Sequence, residues 1–176
     1  MSYTSEFVES IEKPAQFWER QSNKISWFQS PENILTKDDH GFYQWFKGGT
    51  LNTCYLALDK HVAAGRGSQA ALIYDSPVTD QKKIFTYDQL LDQTALFAGA
   101  LANLGVGKGD RIIIYMPMIP EAVIAMLASA RLGAIHSVVF GGFAANELAV
   151  RIDDAKPKVI VSATCGIEFT NVIPYK

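Results

Sequence analysis

The chain has 176 residues, of which 48% are hydrophobic, which is enough to bury one core. Its 16 lysines and arginines nearly balance its 18 aspartates and glutamates, and the formal net charge is −2. This balance, with the two signs interspersed, argues against nucleic acid and against an anionic membrane as partners.

The first 60 residues are rich in aromatic side chains and follow no long regular pattern. Apolar residues at helical spacing predict two short helices, around residues 7–11 and 17–21, with Pro14 near a first helical position. Residues 22–50 contain several turn-forming residues and are predicted to be loop. Six aromatic side chains make this loop too apolar for a free linker, so we expect them to pin it to a larger body: Trp27, Phe28, Phe42, Tyr43, Trp45 and Phe46.

One apolar stripe at helical spacing predicts the next helix, which ends at Gly65; the stripe is Leu51, Cys54, Tyr55, Leu58 and Val62. From Gln69 onward, strand-like runs alternate with helix-like runs. The predicted strands cover residues 71–74, 111–115, 135–140 and 158–162.

The helices between these strands carry recognisable start and stop signals. The first opens at a capping box of Thr86 and Gln89 and ends at Gly105. The second begins at Pro120, and the third covers residues 144–154. Repeated βαβ units predict an α/β fold, with a mostly parallel sheet and helices on both faces, preceded by a helical, aromatic-rich N-terminal segment.

A pair of glycines, Gly141 and Gly142, stands between the strand at 135–140 and the following helix. Glycine lacks the Cβ that would block close contact, and a helix start supplies free N–H donors, so a ligand can approach the backbone at such a point. A tight structural turn has the same local pattern, and the sequence leaves both interpretations open.

No self-contained catalytic constellation is found in the sequence. The glycines at 105–109 lack the spacing and the Ser or Thr of a phosphate loop and are predicted to be a helix cap and turn. His40, His61 and His136 share no metal-ligand spacing; we expect His61 to be solvated and His136 to be a hydrogen-bonded core residue. Arg131 is expected only to complement the helix dipole. We therefore predict no catalytic residue and no metal ligand.

The cysteines and the N-terminal residues bear on the cellular compartment. Cys54 and Cys165 lie far apart and form neither a disulfide framework nor a zinc motif, so we expect two reduced thiols. The acidic N-terminus predicts no secretory signal and no transit peptide, and no stretch is apolar enough to span a membrane. The expected location is the cytoplasm.

Several longer motifs go beyond local pattern. They are Phe85-Thr-Tyr-Asp-Gln-Leu90, Gly107-Lys-Gly-Asp-Arg111, Tyr115-Met-Pro-Met-Ile119, Arg131-Leu-Gly-Ala-Ile-His-Ser-Val-Val-Phe-Gly-Gly-Phe143 and Arg151-Ile-Asp-Asp-Ala-Lys-Pro157. Together they resemble the AMP-forming short-chain acyl-CoA synthetases, the acetate– and propionate–CoA ligases, and most closely the propionate branch. The resemblance covers nearly the whole chain.

The resemblance implies an organisation, a reaction and one binding element. Residues 1–60 would be the N-terminal extension of that family, and residues 61–176 the incomplete first part of the AMP-binding adenylation domain. The full-length enzyme would use ATP with Mg²⁺, coenzyme A and propionate or acetate. In this chain Phe140 would pack the pantetheine arm of coenzyme A, and Gly141 and Gly142 would let the arm pass the backbone.

The resemblance also implies what this chain lacks. The family's phosphate loop, acyl-pocket tryptophan, ribose-binding acid and catalytic lysine come from later segments, so the chain alone is expected to be an inactive N-terminal piece with no tightly bound cofactor. Where acetate-activating relatives place two arginines on the coenzyme A phosphates, the matching positions hold Glu168 and Asn171. The alternatives are a non-catalytic nucleotide or coenzyme A module, and an oligomerisation segment that self-associates through exposed apolar surface.

Overall fold

The chain divides into two compact units, Met1–Asn52 and Thr53–Lys176. A computed structural model describes residues 2–140, 145–168 and 170–175, with Phe140 and Glu168 described by their backbone alone. Among these residues no helix is long and apolar enough to cross a membrane.

The first unit begins with two helices, α1 (Tyr3–Glu12) and α2 (Pro14–Ser22), which confirm the helical predictions for this segment. The helix α1 starts at Ser2 because the Ser2 hydroxyl oxygen accepts a hydrogen bond from the Ser5 N–H at 3.2 Å. The helix α2 starts at Pro14, where the missing N–H of proline costs no intrahelical hydrogen bond.

The loop predicted for residues 22–50 is wrong in its second half, because two strands form an antiparallel hairpin there. They are β1 (Asn33–Lys37) and β2 (Tyr43–Lys47), with Leu35 paired to Trp45. The turn residues that suggested a loop instead close the hairpin, since the Asp38 carboxylate accepts the N–H groups of His40 and Phe42, each at 2.9 Å. Aromatic rings of this unit pack on one another, as Trp18 does on Trp45 with ring centroids 5.9 Å apart.

The second unit opens with two π-helical turns, Tyr55–Asp59 and Val62–Arg66, where the apolar stripe predicted a regular helix. Of the stripe residues, Cys54 and Leu58 are fully buried, whereas Leu51 is 39% exposed and Tyr55 is 37% exposed. An antiparallel hairpin follows, formed by β3 (Ala70–Ser76) and β4 (Gln81–Thr86). The strand predicted at 71–74 therefore lies outside the parallel sheet.

The hairpin leads into α3 (Tyr87–Asn103), whose capping box is confirmed: the Gln89 N–H donates to the Thr86 hydroxyl at 3.2 Å, and the Thr86 N–H donates to the Gln89 amide oxygen at 3.0 Å. Gly105 then takes a φ of +83°, a conformation that favours glycine, and ends the helical path.

Three parallel strands form the sheet of this unit: β5 (Arg111–Met116) in the centre, with β6 (Ile135–Phe140) on one side and β7 (Val159–Ser162) on the other. They are connected by α4 (Pro120–Arg131) and α5 (Ala145–Ala155). The predicted α/β class and parallel pairing are confirmed. A last hairpin, β8 (Cys165–Glu168) and β9 (Asn171–Pro174), was not predicted.

Helices cover both faces of β5, as predicted. On one face Ile112 and Ile114 pack with side chains of α3 and α4, among them Leu101 and three alanines of α4, Ala122, Ala125 and Ala128. On the other face Ile113 and Tyr115 pack with Val139 of β6 and with Leu148 and Ile152 of α5. The sheet is therefore the centre of the core.

Candidate functional site

The strand order places a topological switch point at the carboxyl ends of β5 and β6, and we call this edge of the sheet the candidate crevice. From β5 the chain crosses to β6 through α4, which lies on one face; from β6 it returns across β5 to β7 through α5, which lies on the opposite face. The helices that follow β5 and β6 therefore lie on opposite faces of the sheet. In open α/β sheets, this topological switch point is the place where ligands bind.

Two residues of this edge are neighbours by strand register. Met116, at the end of β5, pairs with Phe140, at the end of β6. The predicted site residue Phe140 thus occupies the carboxyl end of a strand that borders the crevice. Its side chain, Gly141 and Gly142 lie outside the described residues, so their proposed contact with coenzyme A stays a prediction.

The β5 side of the crevice consists of a tight loop and a helix start. The Ile119 N–H donates to the Pro117 carbonyl oxygen at 2.8 Å, and the side chain of Met118 is 79% exposed. The helix α4 then begins at Pro120 with no side-chain cap. This edge presents an exposed thioether, while no group of three metal-ligating side chains comes together among the residues described.

A pair of tyrosines supports the opposite face of β5 near the same edge. The rings of Tyr115 and Tyr175 have centroids 4.9 Å apart. Burial raises the pKa of Tyr175, so its hydroxyl keeps its proton at neutral pH. A Cβ added at Gly166 would collide with that hydroxyl, which explains a glycine in the middle of β8. This pair was not predicted from the sequence, because the hairpin that directly precedes Tyr175 was missed.

Glu168 and Asn171, the two positions that we expect from the resemblance to match arginines of acetate-activating relatives, are register partners at the turn end of the β8–β9 hairpin. Their backbones are therefore neighbours. Neither residue type supplies the cationic fork that holds a phosphate, so this part of the hairpin has no basic group at either position.

The glycine-rich loop at 105–109 lies at the amino end of the sheet, away from the crevice. The Gly107 N–H donates to the Asp110 carboxylate at 2.8 Å, and the Lys158 ammonium group contacts the same carboxylate at 3.0 Å and also donates to the Gly105 carbonyl oxygen. An internal carboxylate thus takes the N–H that a bound phosphate would use. The prediction that this loop is a cap and turn agrees with the geometry.

The same contacts make Asp110 a source of pH-dependent stability. The hydrogen bond from the Gly107 N–H, followed by that from Lys158, lowers the pKa of Asp110 below its ordinary value of 3.8. Its contribution is therefore fully present above about pH 3.8 and is lost as the pH falls through the lowered value. We expect Asp110→Asn to lower the thermal midpoint at pH 7, with a difference from the parent that shrinks in acid.

The measurement is the thermal midpoint of the parent and of Asp110→Asn from neutral pH down to about pH 2.5. Asp75→Asn is the control, since Asp75 forms an exposed ion pair with Lys82 and should change the midpoint little. If the difference in thermal midpoint between Asp110→Asn and the parent stays constant over this whole pH range, the role assigned to the charge of Asp110 is contradicted.

Arg131 has a larger role than the predicted dipole contact. Its guanidinium donates two hydrogen bonds to the Asp59 carboxylate, both at 2.9 Å, and lies 3.6 Å from the Cys54 sulfur. The Asp59 hydrogen bonds raise the pKa of Arg131, and burial raises that of the Cys54 thiol. The group ties the first π-helical turn to the end of α4. Burial outweighs the opposing contact with Arg131 and keeps the Cys54 thiol protonated at neutral pH.

Two histidine predictions are wrong. His61 is half-buried rather than solvated: its Nδ1 lies 2.8 Å from the Arg66 guanidinium, and its ring lies 5.0 Å from that of Tyr87. Because arginine only donates, Nδ1 is the acceptor in this contact. His136 is half-buried in the edge strand β6, where burial lowers its pKa, and its ring has no hydrogen-bond partner among the described residues.

Two family models together match most of the chain. The model described as AMP-binding enzyme matches residues 59–173, and the model described as acetyl-coenzyme A synthetase N-terminus matches residues 3–57. The boundary between the two matches lies near the boundary between the two compact units of the chain.

The proteins that this chain resembles are much longer than the chain itself. The propionate–CoA ligase of Salmonella typhimurium is 46% identical over 176 residues, which are 100% of this chain and 28% of that protein. The mitochondrial acyl-CoA synthetase short-chain family member 3 of Mus musculus is 47% identical over 173 residues, 98% of this chain and 25% of that protein. This chain thus spans about a quarter of the length of these relatives.

A solved structure has the same fold. The acetoacetyl-CoA synthetase from Streptomyces lividans superimposes with a TM-score of 0.89 at 27% sequence identity, over 99% of this chain and 27% of that one. The parallel sheet and the helices on its two faces therefore have the architecture of a known synthetase.

Proposed function

Because the chain belongs to the family of AMP-binding enzymes, we propose that it forms the N-terminal part of a short-chain carboxylate–CoA ligase. The observation that carries this proposal is the match over the whole chain to proteins named as ligases or synthetases of this kind. We propose that residues 1–60 are the family's N-terminal extension and that residues 61–176 are the first part of the adenylation domain.

The proposed reaction has two steps. A carboxylate oxygen of propionate or acetate attacks the α-phosphorus of ATP, which is bound with Mg²⁺, and displaces pyrophosphate to give an acyl-adenylate. The thiolate of coenzyme A then attacks the acyl carbon, the bond to the AMP oxygen breaks, and the acyl thioester and AMP are released. Both steps develop charge on oxygens that backbone donors and cations stabilise.

The role that we propose for this chain is to bind the second substrate, coenzyme A. We propose that the pantetheine arm of coenzyme A follows the crevice between β5 and β6, packs on Phe140 and passes the backbone at Gly141 and Gly142. The position of Phe140 at the carboxyl end of β6, at the topological switch point, supports this path. The absence of an arginine at positions 168 and 171 argues that the phosphates of coenzyme A are bound elsewhere.

The choice of acid and the cellular location belong to the same proposal. Propionate is favoured by the similarity to the Salmonella ligase, although one methylene group changes binding in an apolar pocket by only about 1–3 kcal/mol. We place the protein in the cytoplasm, a reducing compartment that suits its two free cysteines, Cys54 and Cys165.

The experiment that tests this proposal uses chromatography to measure the acyl-CoA formed from ATP, coenzyme A and either propionate or acetate. A protein of the relatives' length that contains this chain is expected to form acyl-CoA and AMP, and residues 1–176 alone are expected to form neither. Acyl-CoA made by residues 1–176 alone would overturn the assignment of the chemistry to later segments. A longer protein that forms no acyl-CoA with any short acid would overturn the ligase assignment.

A further inference from the structure

A pair of tyrosine rings packs at the level where the three parallel strands end. Tyr115, the last residue but one of β5, has register partners on both sides, Val139 of β6 and Ser162 of β7. Its side chain is only 7% exposed, and its ring centroid lies 4.9 Å from that of Tyr175, with an angle of 40° between the ring planes. The Tyr175 ring therefore covers the α5 side of the sheet next to its carboxyl edge.

The tyrosine pair belongs to the cluster that holds both ends of the segment proposed to meet coenzyme A. Val139 directly precedes Phe140 at the end of β6, and Leu148 lies in the first turn of α5. Val139 and Leu148 pack in the same cluster as Tyr115, and Tyr175 packs against that cluster. Because a close-packed cluster resists changes in the spacing of its members, Tyr175 helps to fix where β6 ends and where α5 begins.

A glycine of the neighbouring hairpin makes room for the Tyr175 ring. A Cβ added at Gly166 in β8 would collide with the Tyr175 hydroxyl oxygen and would lie 2.8 Å from the Cζ atom of the ring. The backbone holds the residue as well, because the Tyr175 N–H donates to the Thr164 carbonyl oxygen at 3.0 Å. The position of the ring therefore depends on the side chains at both 166 and 175, and a substitution at either one can move it.

Of the elements assigned to the reaction, this chain contributes the coenzyme A path. The phosphate loop, the acyl-pocket tryptophan and the catalytic lysine implied by the resemblance come from later segments, whereas Phe140, Gly141 and Gly142 directly follow Val139. Misplacing a reacting group by about 1 Å can lower a rate about 100-fold, even when the cause lies far from the chemistry. A shift of the two ends of this segment is therefore expected to slow the step that uses coenzyme A.

We propose that Tyr175 is a positioning residue for coenzyme A: through Tyr115 and Val139, its ring fixes the ends of the segment that the pantetheine arm passes. This inference rests on the proposed function. The two half-reactions are expected to respond differently to a change at Tyr175, because adenylation precedes the entry of coenzyme A.

The test is Tyr175→Leu in a protein of the relatives' length, with the two half-reactions measured separately. We expect kcat/KM for coenzyme A to fall about 10- to 100-fold, while ATP–pyrophosphate exchange and the KM values of ATP and the acid keep their parental values. Tyr175→Phe retains the ring and should stay within about twofold of the parent. Tyr74→Leu is the control, because it removes the same atoms from another half-buried tyrosine, on β3 and outside this cluster.

A second variant moves the ring without changing it. In Gly166→Ala the new methyl group occupies the place of the Tyr175 hydroxyl, so the same selective loss is expected. Added to Tyr175→Leu, which lacks that hydroxyl, Gly166→Ala should lower kcat/KM for coenzyme A by less than about a further twofold, because coupled neighbours are not additive. A parallel loss of both half-reactions, or parental coenzyme A kinetics in Tyr175→Leu, would overturn this inference alone. A parent protein that forms no acyl-CoA would overturn the proposed function, and this inference with it.

Discussion

Ile113→Ala is expected to lower the free energy of unfolding of the chain by about 3–4 kcal/mol. Ile113 is fully buried on the central strand β5 and packs with Val139 of β6 and with α5. The substitution removes three carbon atoms where strands and helices on all sides prevent collapse, so both transfer free energy and a residual cavity contribute. The measurement is urea unfolding followed by far-ultraviolet circular dichroism.

The matched control is Ile73→Ala, in which the same atoms are removed from a side chain that is 60% exposed on β3. We expect a loss below about 1 kcal/mol there. Tryptophan fluorescence separates the two units, because all three tryptophans, Trp18, Trp27 and Trp45, belong to the first unit. Equal losses for the two alanine variants would contradict the assignment of β5 to the centre of the core.

In the longer protein, substitution of Gly142 is expected to slow the second half-reaction, thioester formation, and to leave the first half-reaction unchanged. If the pantetheine arm passes the backbone at this residue, Gly142→Val places a branched side chain in its path. We expect thioester formation to fall by about 100-fold, an effect of the size that misplacing a reacting group produces, and Gly142→Ala to have a smaller effect. Acyl-adenylate formation, which precedes the entry of coenzyme A, should keep its parental rate.

The control glycine is Gly107, at the opposite end of the sheet. A Cβ there would meet only the Asp110 carboxylate, at 3.9 Å, so Gly107→Ala should leave both half-reactions unchanged. The two half-reactions are followed as ATP–pyrophosphate exchange and as acyl-CoA release. A parallel loss of both in Gly142→Val would indicate a folding defect or an adenylation role, and it would contradict the coenzyme A path.

The parallel sheet was predictable because its strands are short apolar runs bounded by clear helix signals. Ile112, Ile113 and Ile114 have no polar alternation, which is typical of a strand covered on both faces, and the capping box at Thr86 marks the start of α3. The hairpins were missed because their strands are short, polar or exposed. In β4, for example, Gln81 to Lys83 resemble a loop until they pair with β3.

The contacts that join distant segments were not predictable from the sequence. Asp59 and Arg131 are 72 residues apart, and Asp110 and Lys158 are 48 apart, so no local spacing relates the partners. The candidate crevice was predicted only in part: the strand and the two glycines were recognised, but the switch point that makes them a candidate site depends on β7 lying on the other side of β5 from β6.

The most direct test of this account is carboxylate-dependent ATP–pyrophosphate exchange by the protein of the relatives' length, with acetate, propionate and butyrate in parallel. Exchange requires only the first half-reaction and is therefore independent of the coenzyme A path. We predict exchange with propionate and acetate and no exchange without an acid. No exchange with any of the three acids, from a protein shown to be folded, would contradict the assignment of this chain to a short-chain carboxylate–CoA ligase.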